Sequence, residues 1–159
     1  MIDDRFKKLA FLLGHTGRML KNDITKAFND AGIDITAEQF SLLMFLWHKE
    51  GINQQEIADH IVKEKTTTLR IIDKLEERGF ITRVKDKEDR RNNKIYLTDK
   101  GKNIREELKT IVDQIADKTF GILSDDEINN FEMILAKLYN VTKPENSINY
   151  ECINFVKGK

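Results

Sequence analysis

The sequence is poor in every residue type that staples or punctuates a chain, with one Cys, one Pro and eight Gly in 159 residues. A lone Cys152 excludes an internal disulfide framework and a Cys-rich zinc site. His15, His48 and His60 show no paired metal spacing, so no metal site is expected. So little Pro and Gly predicts long helices. No run approaches the ~18 consecutive apolar residues of a membrane span. Met1 to Lys8 lacks the apolar stretch of a secretory leader, and the expectation is a cytoplasmic protein with no membrane partner. A Gly-rich phosphate loop, a G-x-S-x-G elbow and a Cys/His dyad are all missing, so neither catalytic residues nor a required cofactor are expected. An excess of one charge is missing too. The 27 Lys+Arg balance 27 Asp+Glu, which at face value speaks against nucleic acid, whose binding domains are usually basic.

What is present is helical periodicity. Apolar residues recur at Phe6, Leu9, Ala10, Leu13, Gly17, Leu20, Ile24 and Ala27, and Ala31-Gly32 supplies a stop. Thr36-Ala37-Glu38-Gln39 is a capping box that opens a second helix, with Phe40, Leu43, Leu46 and Trp47 inward. Asn53-Gln54-Gln55-Glu56 starts a short third helix. A fourth runs from about Lys65 to Arg78, with Thr68, Ile71, Ile72 and Leu75 on the core side. The period then changes: Phe80 to Val84 and Lys94 to Leu97 are short β-branched and aromatic runs, read as a hairpin with a polar tip. Thr98 caps a fifth helix expected to continue through Ile104, Leu108, Ile111, Ile115 and Ile122. Ser124 to Glu127 is a second capping box, opening a sixth helix.

Helix, helix, helix, hairpin is the order of a winged helix-turn-helix. In that motif the second helix of the pair enters the major groove with its N-terminal residues at base edges. Here Lys63, Lys65, Thr66, Thr67, Leu69, Arg70 and Lys74 occupy the reading positions. Short hydroxyls tolerate close approach, cations take phosphates or guanine O6/N7, and Leu69 can meet a thymine methyl. The hairpin tip carries Lys85, Lys87, Arg90, Arg91, Asn92 and Lys94. An Arg-bearing ribbon suits the narrow minor groove, whose negative potential attracts guanidinium. Asp86 and Asp89 are poor phosphate binders and are read as partners that orient a wing arginine.

Asp86-Lys87-Glu88-Asp89-Arg90-Arg91, followed by Ile95-Tyr96-Leu97-Thr98-Asp99-Lys100-Gly101, resembles the wing of the MarR family of transcriptional regulators. Lys65 to Gly79 is similar to that family's recognition helix and turn, and Gln54 to Ala58 to the start of its helix-turn-helix. Two positions depart from the pattern. Glu64 stands where a Ser or Asp cap is usual, and Leu69 where a Ser or Thr often faces the bases. The resemblance implies a mainly α fold with a small β-hairpin wing, in which long terminal dimerisation helices flank a winged helix-turn-helix. Residues 1–34 would form the N-terminal dimerisation helix, 35–100 the DNA-binding region, 101–142 the C-terminal dimerisation helices and 143–159 a tail.

The apolar stripes at both ends exceed what a small winged helix can cover, and a second copy is the simplest partner. The resemblance implies a homodimer on double-stranded DNA, straddling a pseudo-palindrome and most often acting as a repressor. It also implies a small anionic or phenolic effector, bound between the dimer helices and the winged helix. His15, Arg18, Met19, Phe45, Trp47 and His48 are the pocket candidates by position. Cys152 lies away from the N-terminal helix, where peroxide-sensing relatives keep their reactive Cys, and is read as incidental. Two other functional classes remain open at this point: an architectural or protein-interaction winged helix without sequence readout, and an enzyme.

The neutral total conceals a division. Lys63 to Arg105 holds 14 Lys and Arg against 8 Asp and Glu, a net of +6, and the rest of the chain is −6. A basic reading head set among acidic flanks would orient the protein on DNA while limiting non-specific binding.

Overall fold

The computed structural model describes residues 3–61, 64–87 and 92–142. Asp3 opens α1 (Asp4–Asp30) by accepting the Arg5 N–H. The helix stops at Ala31, and Gly32 takes a φ of 77°, a left-handed conformation favouring glycine. The predicted capping box opens α2 (Ala37–His48). Thr36 Oγ1 accepts the Gln39 N–H at 3.2 Å, and Gln39 Oε1 accepts the Thr36 N–H at 3.0 Å. A reciprocal pair between Asn53 and Glu56 then opens α3 (Gln54–Ile61). Next comes α4 (Lys65–Glu77), closed by Gly79 at φ 73°.

The hairpin is β2 (Ile81–Lys85) and β3 (Asn93–Leu97), paired antiparallel from Ile81 with Leu97 to Lys85 with Asn93. The hairpin reading left out a third strand. Ile52 and Asn53 form β1, which pairs with Ile95 and Lys94 to give the order β1-β3-β2. Two residues carry no period, which is why this strand was invisible to pattern reading. The expected fifth helix is also corrected. It breaks at Ile104 into α5 (Asp99–Asn103) and α6 (Arg105–Phe120), and Ile122 lies beyond it, exposed. The sixth expected helix is α7 (Asp125–Thr142), with the Ser124–Glu127 box formed.

The core sits in the middle of the chain. Phe28 of α1, Leu42, Leu43 and Leu46 of α2, Ile57 of α3, Ile72 and Leu75 of α4, Ile81 and Ile95 of the sheet and Leu108 of α6 are all buried. Each such side chain contributes about 1.5–3 kcal/mol by leaving water. The terminal helices contribute almost nothing to it. Phe28 is the one buried residue of α1, and α7 has none. Phe6, Leu9, Phe11 and Leu13 of α1, and Phe131, Ile134 and Leu138 of α7, stand exposed.

Candidate nucleic-acid interface

The face of α4 turned away from the core is set by its period. Thr68, Ile71, Ile72 and Leu75 are buried, so Lys65, Thr66, Leu69 and Arg70 point outward. Leu69 keeps 41% of its surface, on the same outward side as Lys65, Thr66 and Arg70. Thr67 is half-buried on the flank. Lys74, a reading position by sequence, bonds to Glu77 at 2.6 Å within the helix. No described ion pair involves Lys65 or Arg70. Glu64, at the cap position, makes no side-chain hydrogen bond to the first turn, although its carbonyl accepts from Thr68 Oγ1 at 3.1 Å. The positive end of the helix therefore meets solvent without a capping side chain from Glu64.

The wing is anchored at its base. The Asp86 N–H donates to the Asn92 carbonyl at 3.1 Å where the two strands leave the sheet. Asp86 Oδ2 lies 3.4 Å from Lys94 Nζ, so its described ionic partner is a lysine of the facing strand. Lys85 and Lys87 are exposed, as is Asn92. Lys63, Asp89, Arg90, Arg91 and Cys152 lie outside the described residues.

A cluster that sequence reading missed joins the helix to the wing. The Arg83 guanidinium of β2 bonds to both Asp73 and Glu76 of α4, and its backbone N–H donates to Glu76 Oε1 at 3.1 Å. The signal was a pair of carboxylates three apart on a helix, followed by an arginine in the middle of the next strand.

The pocket candidates divide. Trp47 and His48 line an open cavity of about 440 Å³ with Glu50, Leu97, Lys102 and Arg105. Phe45 instead belongs to the hydrophobic core. His15, Arg18 and Met19 are exposed on α1, with His15 stacked on Phe11 at 5.2 Å, and within one chain they do not reach that cavity. The cavity's cations, Lys102 and Arg105, were not foreseen. They come from the α5–α6 break, which periodicity had smoothed over. Glu50 accepts the Leu97 N–H at 3.1 Å and lies 3.9 Å from Lys102, so its charge is already engaged. Among the described residues no cluster of His, Cys, Asp and Glu could hold a metal ion. No helix of the described residues is long and apolar enough to cross a membrane.

Residues 35–92, which span the capping box, α2 to α4 and the wing's first strand β2 but stop short of β3, match the MarR family. The HTH-type transcriptional regulator SarZ of Staphylococcus haemolyticus (strain JCSC1435) is 30% identical over 112 residues, 69% of this chain and 76% of that protein. Among solved structures, the transcriptional repressor CouR bound to a 23-mer DNA duplex superposes with a TM-score of 0.76 at 27% identity, over 87% of this chain and 96% of that one. CouR from Rhodococcus jostii RHA1 bound to p-coumaroyl-CoA gives 0.70 at 29% identity, over 86% and 95%.

Proposed function

The chain belongs to the MarR family and is a DNA-binding transcriptional regulator rather than an enzyme, and on that premise we propose how it reads DNA. It binds as a homodimer, with α4 of each copy in the major groove and each β2–β3 wing in the adjacent minor groove. One observation carries this reading. The first turns of α4 hold Lys65, Thr66, Leu69 and Arg70 clear of the core, beside a hairpin edged with Lys85 and Lys87. Thr66, Thr67, Leu69 and Arg70 face base edges, Lys63, Lys65 and Lys74 take phosphates, and Arg90 or Arg91 enters the minor groove. Asp86 and Asp89 orient the tip.

The exposed apolar faces of α1 and α7 support the dimer, since so many large apolar side chains left in water would be costly. Residues 1–34 and 101–142 supply that interface, and 35–100 the reading head. Two heads related by a two-fold axis call for a pseudo-palindromic site with half-site centres about one helical turn, ~34 Å, apart. The protein works in the cytoplasm, associated with the nucleoid when bound to DNA, and represses the genes it covers. A small anionic or phenolic effector binding beside Trp47 and His48 would meet Lys102 and Arg105, and would shift the spacing of the heads by preferring one separation. The solved complex of CouR with p-coumaroyl-CoA supports an effector of this kind.

A gel-shift titration against competitor DNA tests the reading. Specific binding should survive competitor and fall in Thr66→Ala and Arg70→Ala by the ~10-fold or more of a lost base contact. Equal affinity for every duplex would instead point to an architectural binder.

A further inference from the structure

We infer that Arg83 is a positioning residue for DNA binding, one that cancels two carboxylates which the recognition helix would otherwise present to the phosphate backbone. The inference rests on α4 and the wing being the DNA-reading surface. Asp73 and Glu76 lie four and seven residues after Leu69, on the same flank of α4, so they continue the row of the exposed reading residue. A carboxylate there repels phosphate, and a domain that reads DNA has no evident use for two.

The structure shows where that charge goes. The Arg83 guanidinium spans both groups, and its N–H adds a third bond to Glu76. The Arg83 side chain is only 22% exposed, against 54% for Asp73. Arg83 is therefore turned to the helix and away from solvent, and it affects DNA through its partners rather than by touching phosphate. A planar guanidinium can bridge two carboxylates in this way, whereas a lysine ammonium is a single point charge. Because β2 carries Arg83, the same bonds fix the base of the wing to the helix. Lys85, two residues further along the strand, shares the face that Arg83 turns toward α4. The clamp also accounts for part of the charge balance within the basic segment, since two of its eight acidic residues are held by one internal arginine.

The test compares the full-length protein with Arg83→Gln, with Asp73→Asn/Glu76→Gln, and with the triple variant. The probe is a duplex that the unaltered protein selects from a random pool, and thermal midpoints are recorded for all four proteins. Arg83→Gln should bind roughly 10-fold more weakly near 0.1 M salt, each half-site losing about threefold to repulsion over a distance near the Debye length. The triple variant, with neither the arginine nor the carboxylates, should return to within about threefold of the unaltered protein. The deficit of Arg83→Gln should also shrink as salt rises, because screening weakens repulsion. A triple variant no tighter than Arg83→Gln, or a deficit constant with salt, overturns the proposal. If the triple variant does not fold, the salt series on Arg83→Gln alone decides. An unaltered protein that selects no duplex would overturn the DNA-reading assignment itself, and this inference with it; selection without rescue overturns the inference alone.

Discussion

The indole N–H of Trp47 donates to the carbonyl oxygen of Gly101 at 2.8 Å, tying the end of α2 to the first turn after the wing. Gly101 has no room for a side chain, since a Cβ there would lie 2.0 Å from the Phe80 carbonyl oxygen. The two residues fix the point at which the reading head meets the helix that leaves it. Trp47→Phe should cost about 1 kcal/mol of unfolding free energy, the usual worth of one such bond. Gly101→Ala should cost more, at the upper end of the roughly 1–3 kcal/mol of overpacking, because backbone is what it strikes. Urea unfolding of the two variants checks the order.

Glu56 sets a pH dependence. Its carboxyl is held below the ordinary carboxylate value chiefly by the Asn53 backbone N–H, with Lys49 adding to the effect and partial burial opposing it. A depressed folded-state pKa contributes stability above the unfolded value, near 4.5, and loses it as pH falls through the lower folded value. Glu56→Gln should therefore be less stable than the unaltered protein at pH 7. The gap should close as the pH is lowered from about 5 toward 3. Thermal midpoints across that range measure it, and a gap that does not change with pH would contradict the assignment.

The wing arginines lie outside the described residues, and their role is a reading of the sequence. Arg90→Ala or Arg91→Ala should weaken operator binding by about 10-fold or more, in line with a lost groove contact of 1–3 kcal/mol. The dimer and its thermal midpoint should remain intact. Gel shift paired with calorimetry separates loss of contact from loss of fold.

Much of the fold is legible because several helix starts carry their own capping chemistry. The Thr36–Gln39 and Ser124–Glu127 boxes formed as predicted, and so did the cap at Thr98. β1 was not legible, since two residues express no period and need β3 to become a strand. The break at Ile104 was hidden for the opposite reason: the apolar stripe continues across it, while the backbone changes course. The outward face of α4 was readable from spacing, but the Arg83 clamp depends on a strand and a helix meeting in space. That meeting is tertiary and has no local signature.

The exposed faces of the terminal helices give a further expectation. Phe131→Asp places a charge amid Ile128, Ile134 and Leu138 on an apolar face of α7 that supplies no residue to the buried core. It should leave the winged core folded and convert the dimer to monomer in sedimentation. Affinity for a two-site operator should fall by at least roughly 100-fold, because the second head no longer binds at a raised effective concentration. A variant that stays dimeric would move the interface elsewhere.

Selection of bound duplexes from a random pool tests the central assignment most directly. Two α4 helices related by a two-fold axis should recover an inverted repeat, with half-site centres about 34 Å apart. The positions facing Thr66 and Arg70 should relax when those residues become alanine. Recovery of unrelated sequences with equal affinity, or of a single asymmetric site, would contradict it.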